Sequence, residues 1–278
     1  MCTYQVTASI VLYNSDDTVY KTIESFLRIN ALKIFLYLID NSPSNNFEKQ
    51  NAQLLSKDNI QYIFTGKNVG YGAGHNIALG QSLTQSEYHL VLNPDVYFEE
   101  GVVETLYQYA SKHSTVGHIM PKTLYPNGEI QYACKLIPSP LDLIARLLPA
   151  AIFKKSNEKF ELKFTGYNKI MEVPYLHGCF MFFRCAALQQ IGLFDERFFM
   201  YPEDIDITRR MHKKFKTIYY PFVHVFHKHA KSSFKNKRMF FIHIQNIIRY
   251  FNKWGWFFDS ERKKINTAII KQFEQKQK

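Results

Sequence analysis

Cysteine is sparse in this chain. Four residues, Cys2, Cys134, Cys179 and Cys185, are scattered through 278 positions with no CxxC pair and no zinc-ligand spacing. That pattern excludes a disulfide framework and a structural zinc site, and it predicts reduced thiols in a cytosolic setting. No apolar run approaches the roughly 20 residues of a transmembrane helix. The opening residues mix polar and apolar types, unlike a secretory signal. There is no internal repeat, and the only biased stretch is a short polar tail after Lys271. Acidic residues are also few, 24 against 35 Lys and Arg, giving a formal charge of +11. Such an excess points to an anionic partner: nucleotide phosphate, a membrane surface or nucleic acid. The basic residues gather at one end rather than along a groove, and no RNA- or DNA-binding motif is present, which argues against nucleic acid.

Aromatic residues, by contrast, are abundant: 24 Phe and 18 Tyr. They exceed what a core needs and suit sugar stacking, a lipid-facing patch or both. Apolar patterning predicts strands at Val6–Tyr13, Ile34–Ile39, Ile60–Phe64 and around Leu90, each followed by a turn or a helical pattern. Helices are expected from the Asn14–Asp17 cap to about Ile29, over residues 75–83, and from about Glu100 to Lys112. Strand and helix alternating in this way imply parallel strands in a doubly wound α/β sheet. Beyond residue 115 the alternation weakens. Strands are expected at Phe180–Phe183 and Thr217–Phe226, and helices at Ile205–Lys214 and from Lys235 to about Asn252. Pro138–Val173 reads as irregular, with Leu141–Phe153 as a flap or interfacial segment too short to span a bilayer.

The most informative stretch is YHLVLNPDVYF, Tyr88–Phe98. Proline ends the strand and leaves Asp95 at its carboxyl edge, where open α/β sheets bind ligands and a carboxylate can hold a metal-bound phosphate. Taken alone, Asn93-Pro94-Asp95 is equally a turn of favourable chemistry. Asp40 ends the second strand, either as a hydrogen-bond acceptor for a base or ribose or as the capping acid of an Asp-Asn-Ser turn. The glycines of KNVGYGAGHNIAL, Lys67–Leu79, can admit a nucleotide backbone at a helix amino end, although they do not form the GxGxxG fingerprint. Glu203, Asp204 and Asp206 follow Phe198-Phe199-Met200-Tyr201 and Pro202. They serve the helix dipole or, partly buried beside the aromatics, supply a general base. His224, His227 and His229 lie just beyond a strand, and a histidine with a carboxylate can ligate a divalent metal carrying a diphosphate.

In order along the chain, SIVLYNS, IDNSP, NVGYGAGHNIAL, LNPDV, HGCFMFFR, IGLFDERFFMYPEDIDITRR and PFVHVFHKHAKSS span nearly residues 6–233. This series resembles a bacterial family-2 glycosyltransferase of the GT-A fold, in its rhamnosyltransferase-like branch. The resemblance implies a Rossmann-like, mixed and mainly parallel sheet flanked by helices. The catalytic domain would cover residues 1–233, with a nucleotide half to about 115 and an acceptor half to 233, and a basic helical extension would cover 234–278. It implies inverting transfer from a nucleoside-diphosphate sugar with Mg²⁺ or Mn²⁺. Tyr13, Asn14, Asp40, Asn68, Gly70, Gly72, Asn76 and Asn93 would hold the nucleotide, and Asp95 and His227 the metal. Asp204 would be the general base and Glu203 would orient the acceptor, with Gly178 and Ser232 close to acceptor or phosphate. The usual metal motif is Asp-x-Asp; Asn93 replaces its first acid, in the manner of rhamnosyltransferases. Fewer anionic ligands imply a metal held chiefly through the substrate diphosphate.

The same resemblance makes dTDP-L-rhamnose the favoured donor and a polyprenyl-diphosphate-linked glycan of O-antigen or capsule the acceptor. The same chemistry with a UDP-sugar donor is the first alternative, and a non-catalytic nucleotide-sugar-binding or nucleic-acid-binding protein is the second. Between Lys228 and Lys264 ten Lys or Arg face two acids, interleaved with Phe240, Phe241, Ile244, Ile248, Phe251, Trp254, Trp256 and Phe257. A basic helix of this kind suits an anionic bilayer surface. A peripheral position on the cytoplasmic face of the bacterial inner membrane follows as the expectation.

Overall fold

The computed structural model describes residues 2–145, 154–228 and 237–274. In chain order the amino-terminal half runs β1 (Tyr4–Leu12), α1 (Thr18–Leu27), β2 (Ile34–Asp40), the short α2 (Asn46–Gln50) and α3 (Ala52–Leu55), and β3 (Ile60–Phe64). It continues with α4 (Tyr71–Gln85), β4 (Ser86–Leu92), β5 (Val96–Tyr97) and α5 (Val102–Lys112). The second half holds β6 (Val116–Leu124), β7 (Cys134–Lys135), α6 (Pro140–Ala145), α7 (Lys154–Phe160), β8 (Met171–Glu172), β9 (Tyr175–Leu176) and β10 (Phe180–Arg184). It ends with α8 (Cys185–Ile191), α9 (Glu203–His212), β11 (Lys216–His227), α10 (Lys237–Trp254) and α11 (Ser260–Glu274).

The main sheet has the order β3-β2-β1-β4-β10-β6-β11-β5, with β8 against β11. The first four strands are parallel, as the alternating pattern implies. Antiparallel β10 then joins β4 to β6, and β11 returns parallel to β6. Consecutive buried positions in β1, β2 and β4 explain their nearly continuous apolar runs, because helices cover both faces. The amphipathic α1 buries Val19, Ile23 and Phe26 beneath this sheet.

Several elements depart from the sequence-based expectations. β4 starts at Ser86 and α4 at Tyr71, both earlier than apolar spacing suggests. Gly72, Gly74 and Gly80 blur the helical pattern of α4 without ending it. β6 and α11 were not legible: Pro121 stands inside β6 and α11 is strongly polar. Pro138–Val173 holds α6, α7, a 3-10 turn and β8 rather than irregular chain; most of the expected flap lies outside the described residues. Pro202 precedes α9 and does not open it.

The carboxyl-terminal helices pack on the second half of the chain, against residues 137 and 175–209. Tyr250 and Phe251 of α10 are buried with Tyr175, Phe198 and Ile205. Asn246 donates from Nδ2 to Met200 O at 2.8 Å. On α11, Asn266 exchanges two hydrogen bonds with the backbone of Ile137. Arg209 of α9 clamps Asp259 with two bonds of 2.7 and 2.8 Å and stacks its guanidinium 4.1 Å from the Trp254 ring.

Candidate active site

Parallel β1, β2, β4 and β11 all end at one edge of the sheet, and antiparallel β10 begins there, with Phe180 opposite Leu92. Residues 13–14, 40–42, 93–95, 177–179 and 227 therefore converge at this edge, and the amino end of α9 closes over it. Pro94 ends β4; its carbonyl accepts from the Thr22 hydroxyl at 2.9 Å. The chain then reverses into the short β5, which pairs with the end of β11 so that His227 stands opposite Val96. A bond from Lys228 N to Asp95 O completes the ribbon. His227 Nε2 consequently lies 3.4 Å from Asp95 Oδ1.

The register of β11 slips between Tyr220 and His224, around Pro221. Beyond the slip, Val225 and His227 turn inward while His224 is exposed. Strand alternation thus delivers His227 to the site, and not His224. His229 and Ser232 lie outside the described residues. Gln131 fixes the imidazole from behind: its Nε2 donates to His227 O at 2.6 Å, and its Oε1 takes the Nδ1 proton at 2.9 Å. Nε2 is left facing the carboxylate. Two lone-pair-bearing atoms at this distance need a cation between them, a proton or a metal. Burial lowers the His227 pKa, but Cys179 and Asp95 outweigh it and raise it to about 10. One imidazole oriented by a hydrogen-bonded amide and one carboxylate could hold a divalent ion in place of that proton. Among the described residues no group of three or more His, Cys, Asp or Glu could form a full cage, so further ligands would come from a bound substrate.

The second acid group lies at the amino end of α9. Asp204 is partly exposed and accepts from Gly178 N at 3.0 Å and Ile205 N at 2.8 Å, with the Tyr175 hydroxyl at 3.4 Å. Burial raises its pKa, opposed by Lys135 and these hydrogen bonds. Glu203 is only 5% exposed, and one of its oxygens finds no partner. Burial, joined by the charge of Asp204, pushes its pKa up strongly. Asp206 belongs to the scaffold instead: it is wholly buried against Arg210, Lys253 and the Trp254 indole.

Residues 177–179 join the two ends of the site. Gly178 N holds Asp204, the Tyr71 hydroxyl donates to Gly178 O at 2.7 Å, and Cys179 O accepts from Asn93 N at 2.9 Å. The Cys179 side chain is also hydrogen-bonded with His227. An added Cβ on Gly178 would meet Asp204 Cβ at 3.1 Å, which explains glycine at this position.

The residues expected to hold a nucleotide lie on the β1, β2, β4 and α4 side of the crevice or behind it. Tyr13 is 52% exposed at the end of β1, and Asn14 N bonds the Ser42 hydroxyl, so both border the crevice. Asn93, partly exposed, begins the turn above β4. Asp40 ends β2 but is fully buried, its oxygens taken by Ser42 N at 2.8 Å and the Tyr62 hydroxyl at 2.7 Å. The glycines serve packing: Gly70, at φ +98°, lies against the Phe199 carbonyl, Gly72 against Phe194 and Gly74 against Val11. Asn68 caps the turn through Gly70 N, and Asn76 clamps Phe194 N and O and Glu196. Gly72 and Asn76 thus tie α4 to the loop before α9. Gln131, Lys135 and Tyr175 carried no local signal in the sequence; Tyr71 and Cys179 lay within motifs already singled out.

Residues 7–192 match the family described as glycosyl transferase family 2. Among curated proteins, the chain is 31% identical over 212 residues to "Low-salt glycan biosynthesis hexosyltransferase Agl10" of Haloferax volcanii, covering 74% of this chain and 61% of that protein. It is 27% identical over 190 residues to "N-acetylglucosaminyl-diphospho-decaprenol L-rhamnosyltransferase" of Mycobacterium tuberculosis, covering 63% of this chain and 61% of the relative. "Rhamnosyltransferase WbbL" of Escherichia coli is 25% identical over 202 residues, covering 69% and 73%. The chain thus spans about three-fifths of the length of the first two relatives. Among solved structures, GalNAc-T7 with UDP, GalNAc and Mn²⁺ superposes with a TM-score of 0.60 at 15% identity, over 81% of this chain and 43% of that one. TarS of S. aureus gives 0.59 at 15%, over 83% and 38%. These two share the fold. With the family match covering well over half its length, the chain belongs to glycosyl transferase family 2 and has the GT-A fold.

Proposed function

We propose that this protein is a glycosyltransferase that moves L-rhamnose, with inversion, from dTDP-L-rhamnose onto a polyprenyl-diphosphate-linked glycan of O-antigen or capsule type. The observation that carries the reading is the pairing of two unlike acid sites across residues 177–179. Asp95 with the oriented His227 suits a diphosphate–metal group, and the poised Asp204 suits an acceptor hydroxyl. The Asn-Pro-Asp turn and the named activities of the mycobacterial and E. coli relatives support rhamnose and a lipid-linked acceptor. Mg²⁺ or Mn²⁺ at Asp95 and His227 would neutralise the departing diphosphate; the GalNAc-T7 structure contains Mn²⁺.

In this scheme Asp204 takes the proton of the acceptor hydroxyl as its oxygen attacks the anomeric carbon, and the bond to the diphosphate breaks with its electron pair leaving on phosphate oxygen. Glu203, protonated more readily than an ordinary carboxyl, orients the acceptor. Tyr13, Asn14 and Asn93 border the nucleotide, and Asp40 braces it through Tyr62 and Ser42. Among the described residues no helix is long and apolar enough to cross a membrane. Exposed Phe241, Phe257 and Phe258, interleaved with basic residues, support a peripheral position on the cytoplasmic face of the inner membrane.

A transfer assay with polyprenyl-diphosphate-linked N-acetylglucosamine and a panel of dTDP-L-rhamnose, UDP-hexoses and UDP-galactofuranose tests this. Transfer from dTDP-L-rhamnose with anomeric inversion is the expected result. Transfer only from a UDP-sugar would discard rhamnose and favour the hexosyl chemistry named for the Haloferax relative.

A further inference from the structure

The acceptor end of the site contains a buried cation that the scheme above leaves without a task. Lys135 lies on β7, is only 7% exposed, and pairs across the small ribbon with Tyr175 of β9. Its Nζ stands 5.4 Å from the Tyr175 ring centroid, and the Tyr175 hydroxyl lies 3.4 Å from Asp204 Oδ2. An ammonium is costly to remove from water unless negative charge faces it, and Asp204 is in electrostatic contact with Lys135. Burial disfavours the charged form of Asp204. Glu203 adjoins it on α9, and the Tyr71 hydroxyl of α4 occupies Gly178 O just behind it. Favourable to the charged form are the N–H groups of Gly178 and Ile205 and the Tyr175 hydroxyl. Lys135 adds a full charge to these dipoles.

Resting on the assignment of Asp204 as base, we propose that Lys135 is a positioning residue of the reaction: from the β7–β9 ribbon it holds Asp204 as a carboxylate, able to accept the hydroxyl proton. The direction of its influence follows from charge. Burial raises the pKa of Asp204, and Lys135 is the largest of the effects opposing it. A base works in its ionised form, so loss of the ammonium moves the acid limb of the rate profile to higher pH. The defect should be deep at low pH and shrink as pH rises. A merely structural lysine would instead lower the rate equally at every pH, or lower the melting temperature.

The test is the pH dependence of kcat/KM, with dTDP-L-rhamnose and polyprenyl-diphosphate-linked N-acetylglucosamine, or with the UDP-sugar that the donor panel selects. Lys135→Met is expected to lose ~10-fold at the acid end relative to its own alkaline value, an effect typical of removing one nearby opposite charge. Lys135→Arg should restore the wild-type profile. Lys135→Gln, which keeps a polar side chain without the charge, should move the limb in the same direction as Lys135→Met and keeps the idea testable if the methionine variant does not fold. An unmoved limb in Lys135→Met and Lys135→Gln, or a loss equal at all pH values, would overturn the proposal. Asp204→Asn separates the two claims. If it retains transfer, the base assignment itself falls; if it abolishes transfer while the lysine variants leave the limb unmoved, only the role of Lys135 falls.

Discussion

The pair formed by Arg209 and Asp259 gives a quantitative test of how the carboxyl-terminal helices are held. Their side chains are 1% and 3% exposed, with two nearly parallel bonds of 2.7 and 2.8 Å. Glu261 adds a third bond at 3.0 Å, and Asp259 also accepts from Arg262 N at the start of α11. Removing one partner leaves the other charge buried with a single weaker ionic contact, Glu261 for Arg209 or Arg262 for Asp259, which costs about 3 kcal/mol, the lower end for a broken buried pair. Arg209→Met or Asp259→Leu should therefore each lower the melting temperature by at least ~6 °C in a chain of this size. The double variant should recover part of that loss, because no orphan charge remains.

The pH dependence has a definite sign. Burial tends to raise the pKa of Asp259, but its bonds to Arg209 and Arg262 prevail and depress it. The stabilisation is therefore fully present above the ordinary carboxylate pKa and is lost as pH falls through the depressed folded value. Wild type should lose stability at acid pH more steeply than the double variant. Urea unfolding and scanning calorimetry from pH 3 to pH 7 would measure this. Single variants within 1 kcal/mol of wild type, or singles that add to give the double, would refute the view that this clamp ties α9 to the carboxyl-terminal helices.

Gly178→Ala places a methyl group 3.1 Å from Asp204 Cβ, so the carboxylate must shift by a few tenths of an ångström. Since misplacement by 1 Å can cost about 10²-fold in rate, kcat should fall ~10-fold with little change in melting temperature. Gly70→Ala acts differently: its φ of +98° and the adjacent Phe199 carbonyl make it a stability defect of about 1–3 kcal/mol, read by urea unfolding. Replacing Phe241, Phe257 and Phe258 together with Ser should sharply reduce cosedimentation with anionic vesicles at low salt. Unchanged sedimentation would remove that face as the membrane contact.

The alternation of Val6–Tyr13, Ile34–Ile39 and Ile60–Phe64 with helices was legible because a doubly covered parallel sheet demands near-continuous apolar strands. The carboxyl edge of β4 was legible for a related reason, since Pro94 can only end a ladder. His227 was separable from His224 through its place in the family pattern, and the structure supplies the physical cause in a slipped register around Pro221. The glycine run left its neighbours open, because glycine admits close approach by any group; within the chain Phe199, Phe194 and Val11 lie where the Cβ atoms of Gly70, Gly72 and Gly74 would stand. Asp206 looked like a third acid of the site, yet its partners Lys253 and Trp254 lie far along the chain. Gln131 and Lys135 could not be found for the same reason. Each acquires its role from a contact across the sheet edge or the ribbon, and no spacing rule encodes such a contact. The apolar face of α10 was ambiguous between lipid and protein, and the structure divides it. Tyr250 and Phe251 are buried against Phe198 and Ile205, while Phe241 is 70% exposed.

The central claim is that Asp95 and His227 form the diphosphate end of the site. Thermal shift of wild type and Asp95→Asn with dTDP, UDP, GDP and CDP, each with and without Mn²⁺, tests it most directly. A nucleotide at about 100 times its dissociation constant stabilises by ~2.7 kcal/mol. The account predicts stabilisation by one nucleoside diphosphate that depends on Mn²⁺ and is lost in Asp95→Asn. Stabilisation that is indifferent to the metal and survives in Asp95→Asn would contradict it.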